Sequence, residues 1–228
     1  MRDTLCIIPA RSGSKGIKDK NILKLNNKEL FLHSINFAKK LKFVKDIVFS
    51  SDSKKYTNIS KKLLNKTNKL RPKNISRDET DMMDVIRYEI NNYSGATKEI
   101  KKILILQPTC PFRNLKVFNR ANNLLKKNYD SVITLNEVRD HPERMKLINK
   151  KNLVKNFLNN KISFKRRQDL KKVFIRSGSM YFFKIKNIYK SNNMLGKKTY
   201  GIIVKGREAI NIDKYEDYIL AKYYSKIK

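Results

Sequence analysis

The amino-acid sequence predicts an α/β fold: one mostly parallel sheet with helices on both faces and a small inserted segment. Strand-like and helix-like segments alternate over residues 4–137, the βαβ rhythm that sets parallel strands side by side. The strand-like runs are apolar and are halted by proline, at Pro9 in the first and at Pro108 and Pro111 in the third. A chain of 228 residues with 40% hydrophobic content can bury a real core, and residues 1–228 are read as one domain with an insertion at 138–179.

Residues 4–9 read as a buried strand, and "ELFLHSINFAKKL" (29–41) carries apolar residues at helical spacing. "DIVFSS" (46–51) is a second strand, after which Asp52 and Ser53 are suited to cap a helix over 54–65. "DETDMMDVIRYEINNY" (78–93) reads as a helix whose acidic first turn favours the positive end of its dipole. "KKILILQPTCPF" (101–112) is the central strand, followed by a helix over 114–127 and a strand over 130–137. The rhythm then breaks. Residues 138–179 hold short, weakly apolar strands and no long helix, too little to form a core alone, so a partner subunit is their expected support. "MYFFKI" (180–185) and "YGIIVK" (200–205) return to the sheet, and "KYEDYILAKYYSKI" (214–227) makes the final helix. Ligands of such sheets gather at the carboxyl ends of the strands, which should bring together the 10–21 loop, Ser51–Asp52 and Gln107–Thr109.

Lys and Arg number 53 against 20 Asp and Glu, a net charge of +33 that suggests nucleic-acid binding. Such binding wants clustered cations interleaved with stacking aromatics. Here the lysines are spread along the chain, and Tyr and Phe fall in strand or helix periodicity. Abundant Lys, Asn and Ile fit an AT-rich codon bias, so no nucleic-acid partner is expected, although the positive field would still attract a phosphorylated substrate. No apolar run approaches the roughly 18 residues of a membrane span, and with a strand-like run from residue 4 no signal peptide is expected. Two cysteines, Cys6 and Cys110, are too few for a disulfide framework, and with only His33 and His141 a structural zinc site is not expected. The expected setting is the reducing cytoplasm, away from membranes.

"IIPARSGSKGIKDKN" (7–21) leaves an apolar strand and at once gathers cations, glycines and serines. A strand-end loop of this kind receives phosphate; the plainer alternative is a solvated lysine-rich turn. It has neither the P-loop spacing nor GxGxxG. Five further segments follow in order: "SSDS" (50–53), "RPKNISRDET" (71–80), "LQPTCPFR" (106–113), "RSGSMY" (176–181) and "INID" (210–213). Together they resemble, over nearly the whole chain, the signature segments of the acylneuraminate cytidylyltransferase (CMP-sialic acid synthetase) family.

The resemblance implies a Rossmann-like nucleotidyltransferase sheet and a reaction of CTP with a nine-carbon sugar acid, giving a CMP-sugar and pyrophosphate with Mg²⁺. The sugar's anomeric hydroxyl attacks the α-phosphorus directly, so catalysis rests on positioning and charge neutralisation. It implies nucleotide binding by Ala10, Arg11, Ser12, Gly13, Ser14, Lys15, Gly16, Asn21, Arg71 and Gln107. Gln107, Arg167, Arg176, Ser177 and Gly178 would take the sugar acid, a guanidinium holding its carboxylate by two parallel bonds. Asn211 and Asp213 would hold the metal, and Arg11, Lys15 and Asp213 would be the catalytic set. In the family the insertion reaches the neighbouring subunit's active site, which implies a homodimer feeding surface-glycan synthesis.

Several of these residues have structural alternatives. Asn21 could hold a turn, Gln107 could bond the adjacent prolyl turn, and Ser51 and Asp52 could merely start a helix. Arg71 and Asp78 could pair with each other; Lys165, Arg166 and Arg167 could be surface charge; His141 reads as a turn residue. The sequence departs from the family pattern at Asn211, at "RSGS" and at Ser12–Gly13. Strand alternation would put Asn211 and Asp213 on one face, with Asn a neutral and poorer ligand. These departures leave open which acid is used, N-acetylneuraminic, legionaminic or pseudaminic. The alternatives are a CMP-KDO synthetase-like enzyme, whose "R.PGKP" segment is absent, and a basic nucleic-acid-binding protein.

Overall fold

The computed structural model describes residues 2–64, 69–158, 166–191 and 193–227. The elements in chain order begin with strand β1 (Thr4–Pro9) and the two-residue strands β2 (Lys24–Leu25) and β3 (Lys28–Glu29). Helix α1 (Leu30–Lys39), β4 (Val44–Ser50), α2 (Lys54–Ser60), α3 (Met82–Asn91) and β5 (Lys102–Ile105) come next. Then follow α4 (Leu115–Lys126), β6 (Ser131–Glu137), β7 (Lys146–Ile148), β8 (Val154–Asn156) and β9 (Phe174–Lys184). Helix α5 (Lys186–Ser191), β10 (Thr199–Ile203) and α6 (Tyr215–Lys226) complete the chain.

Six strands form the main sheet in the order β10-β6-β9-β5-β1-β4. β1 runs parallel to β4 and β5, and β10 runs parallel to β6. β9 lies antiparallel between β5 and β6, so the sheet is mixed but mostly parallel, as expected. The apolar run of β1 feeds two cores, because successive side chains point to opposite faces. Cys6 and Ile8 pack with Phe31, Ile35, Phe49, Tyr56 and Phe118 under α1, α2 and α4. Leu5 and Ile7 pack with Met83, Ile86, Ile90 and Ile188 under α3 and α5. A smaller cluster of Leu25, Leu30, Ile210, Ile212 and Ala221 seats α6.

The boundaries differ in instructive ways. Ser53 alone caps α2, its Oγ accepting from the Tyr56 amide at 3.3 Å, while Asp52 turns elsewhere. α2 ends at Ser60, and the expected continuation to residue 65 lies partly outside the described residues. α3 begins at Met82, not at residue 78, because the Asp81 carboxylate accepts from the Met83 amide at 2.8 Å and fixes the start there. Asp78 is thereby left in a loop. β9 begins at Phe174, six residues before the expected return to the sheet, so residues 174–179 of the expected insertion belong to the main sheet, beside β6. The rest of the insertion carries the β7–β8 hairpin, on which Ile148, Leu153, Val154 and Phe157 are more than half exposed. His141 holds a turn there, accepting from the Glu143 amide and donating to the Lys171 carbonyl at 2.9 Å.

Candidate active site

At the carboxyl ends of β1 and β5 lies a cleft of about 510 Å³. Its lining includes Arg11, Ser14, Lys15, Gly16 and Asn21 of the first loop, Arg71, Arg77 and Asp78, then Gln107, Thr109, Asn211 and Asp213. Five cations (Arg11, Lys15, Lys20, Arg71 and Arg77) face it against two carboxylates, Asp78 and Asp213. A concave surface with that balance raises the local concentration of polyanions.

The 10–21 loop is held by interior bonds that leave its cations facing outward. Asp52, beyond the end of β4, accepts from the Ser12 amide at 2.8 Å and the Ser12 hydroxyl at 2.7 Å. Its role is therefore to anchor the loop, not to cap α2, and the Ser12 side chain is already engaged. Asn21 is buried and donates to the Arg11 carbonyl at 2.9 Å, tying the loop's end to its beginning. Ala10 is fully buried, its amide continuing the ladder to the Ser50 carbonyl. Gly16 passes directly over the Asp213 backbone, where a Cβ would lie 2.6 Å from the carbonyl oxygen. Its lack of a side chain brings the loop against the 210–213 segment.

Arg11 and Lys15 both grip Asp78, Lys15 at 2.8 Å. The bond from Lys15, with the Arg11 charge beside it, holds the Asp78 carboxyl below its usual range, and the same bond raises Lys15. An Arg71–Asp78 pair, expected as one possibility, does not form. Arg71 is buried instead, its Nε donating to Ser76 Oγ at 3.1 Å, and burial lowers its pKa against the opposing pull of Asp52.

Asn211 and Asp213 both line the rim, on an irregular extended segment rather than on the expected strand. The Asn211 amide donates to Asp213 Oδ2, and its Oδ1 lies 3.5 Å from the Cys110 sulfur. Lys20 donates to Asp213 Oδ1 at 2.9 Å. Lys20 and Arg77 were not among the expected site residues. Both stood in quoted segments, Lys20 next to Asn21 in the first loop and Arg77 next to Asp78 in "RPKNISRDET" (71–80).

On β9, Arg176 is exposed and does not line the cleft, whereas Ser177 and Gly178 are buried behind Gln107. The Ser177 hydroxyl is occupied by Thr134 Oγ1 at 2.5 Å. The Arg167 side chain lies outside the described residues, as does Lys165. No group of three His, Cys, Asp or Glu among the described residues could hold a metal by itself. No described helix is long and apolar enough to cross a membrane.

Fold and cleft together define an α/β protein with a cation-lined cleft at the carboxyl ends of parallel strands. Residues 5–224 match the family described as "Cytidylyltransferase", and the chain belongs to that family. It is 26% identical over 218 residues to an N-acylneuraminate cytidylyltransferase of Streptococcus agalactiae, covering 94% of this chain and 51% of that protein. The chain thus spans about half the length of the streptococcal relatives it matches. A pseudaminic acid cytidylyltransferase of Campylobacter jejuni is 28% identical over 225 residues, covering 98% of this chain and 96% of that one. A solved CMP:2-keto-3-deoxy-manno-octonic acid synthetase superposes with a TM-score of 0.68 over 97% of both chains at 12% identity, a likeness of fold.

Proposed function

We propose that the protein transfers CMP from CTP to the anomeric hydroxyl of a nonulosonic sugar acid, releasing pyrophosphate. The observation that carries this reading is the cleft itself: five cations against two carboxylates, three of the cations (Arg11, Lys15 and Lys20) on a loop anchored at both ends. The names of the aligned relatives supply the substrate class. In the step proposed, the sugar oxygen forms a bond to the α-phosphorus and the bond to the bridging oxygen breaks. Pyrophosphate leaves with that oxygen's electron pair, and the hydroxyl proton passes to solvent.

Arg11 and Lys15 would exchange the Asp78 carboxylate for triphosphate oxygens, with Lys20 and Arg71 adding charge from the floor. Backbone N–H groups of Gly13 and Ser14 would add further donors from the loop, the Ser12 amide being held by Asp52. Asp213 and Asn211 offer one carboxylate and one amide oxygen. That set fits a Mg²⁺ shared with substrate phosphates but not one held by protein alone. When bound, the ion would neutralise charge on the triphosphate.

The exposed apolar hairpin of the insertion supports a homodimer. Light scattering at micromolar concentration should give twice the 26.9 kDa chain mass; a monodisperse monomer contradicts the dimer. Arg167 and Arg176 are the carboxylate-clamp candidates, one of them acting across the dimer, which accounts for an exposed Arg176 in the single chain. Arg167→Ala or Arg176→Ala should raise KM for the sugar acid far more than for CTP. Equal effects on both substrates remove the clamp.

A further inference from the structure

Gln107 leaves the end of β5 at the floor of the cleft, and three interior contacts converge on it. Gly178 of β9 sits at φ +75°, and a Cβ there would collide with Oε1 of Gln107 and lie 3.3 Å from the Cys110 sulfur. The Cys110 amide donates to the Gln107 carbonyl at 3.1 Å, and its thiol donates to the Ser177 carbonyl at 3.1 Å. Arg113 closes the third side. Its Nη2 donates to the Gln107 carbonyl at 2.6 Å and its Nε to the Ser179 carbonyl at 3.2 Å.

Arg113 is unusual in its own right. Among the described residues its Nη1, sealed from solvent, has no hydrogen-bond partner, and no carboxylate pairs with the guanidinium. An interior cation without an anion is costly, and burial pulls its pKa down to about 10. The two carbonyls it bridges belong to the backbones that carry Gln107 and flank Gly178.

We infer that Gly178 is a positioning residue: its missing side chain is the seat of the Gln107 amide, and Arg113 fixes the spacing of the two backbones. The inference rests on the CMP-transfer reading only for what the amide then addresses, the hydroxyls of the sugar acid. Gly178 acts through Gln107 and does not touch the sugar. A methyl group at 178 would have to displace the Gln107 amide, the movable end of a side chain. The left-handed backbone adds a separate loss of stability that does not depend on Gln107.

The chain has two glutamines, Gln107 and Gln168, so ¹⁵N labelling of glutamine side chains gives two NH₂ resonance pairs, assigned with Gln107→Ala. In the protein without substrate, Gly178→Ala should move the Gln107 pair and leave the Gln168 pair in place. An unmoved Gln107 pair in folded Gly178→Ala overturns the inference, whether or not any sugar acid is turned over. If Gly178→Ala does not fold, Arg113→Lys serves instead: it keeps the charge, loses the two-pronged grip and should move the same pair; an unmoved pair again overturns the inference. With pseudaminic, N,N'-diacetyllegionaminic or N-acetylneuraminic acid as acceptor, Gly178→Ala and Gln107→Ala should each raise KM for the acid about tenfold, the order of one misplaced hydrogen bond, with KM for CTP nearly unchanged. The double variant should be no worse than the worse single one, and additive losses would overturn the seat. Absence of turnover with all three acids defeats the CMP-transfer reading and leaves the resonance test standing.

Discussion

Asp213→Ala is expected to abolish CMP transfer at every magnesium concentration tested, while Asn211→Asp lowers the magnesium concentration needed for half-maximal rate. Asp213 is the single carboxylate of the rim pair that the 10–21 loop lies against, and a hard cation bridging phosphates needs anionic oxygen nearby. Its two oxygens are engaged by the Lys20 ammonium and the Asn211 amide, so both neighbours act as donors to it. Asn211→Asp turns one of those donors into a second anionic ligand, which should draw the ion in at lower concentration. A titration midpoint unmoved in Asn211→Asp, together with substantial activity in Asp213→Ala, contradicts the metal assignment. The ion would then be held by the triphosphate alone.

Lys15→Ala should cut kcat/KM for CTP by about a hundredfold or more without altering the melting temperature, the scale seen when a single stabiliser of developing charge is removed. Lys15 is 81% exposed at its side chain, and among the described residues its ion pair is with Asp78, so little of the fold depends on it. Its position is nevertheless specified, because Asp52, Asn21 and Gly16 fix the loop from below. An unchanged kcat/KM in a normally folded variant would show that the loop does not carry the triphosphate.

How much of this was legible in the sequence follows from the range of the interactions. β1, β4 and β5 could be read because each is an apolar run with its own stop signal, and the parallel order follows from the helices between them. The direction of β9 could not be read, since a strand buried on both faces has the same composition whichever way it runs. Asp52 looked like a cap because an acidic residue before a helix ordinarily is one. Its partner, Ser12, is 40 residues away, and only the strand crossing brings the two together. Asp78 looked helical for the same reason, until Asp81 took the cap and left it free to meet Arg11 and Lys15. Arg113 stood in the "LQPTCPFR" segment without being singled out, because an arginine after a prolyl turn reads as solvated. Its interior position is a property of the packed β5–β9 pair.

Pyrophosphate release from CTP, followed in the presence of magnesium with each of the three nonulosonic acids in turn, tests the central claim most directly. The account predicts release that requires both CTP and one of the acids, in equal amounts with a CMP-sugar product, and that is absent with CTP alone. Release with none of the three acids, or release from CTP that is independent of any acid, would contradict it.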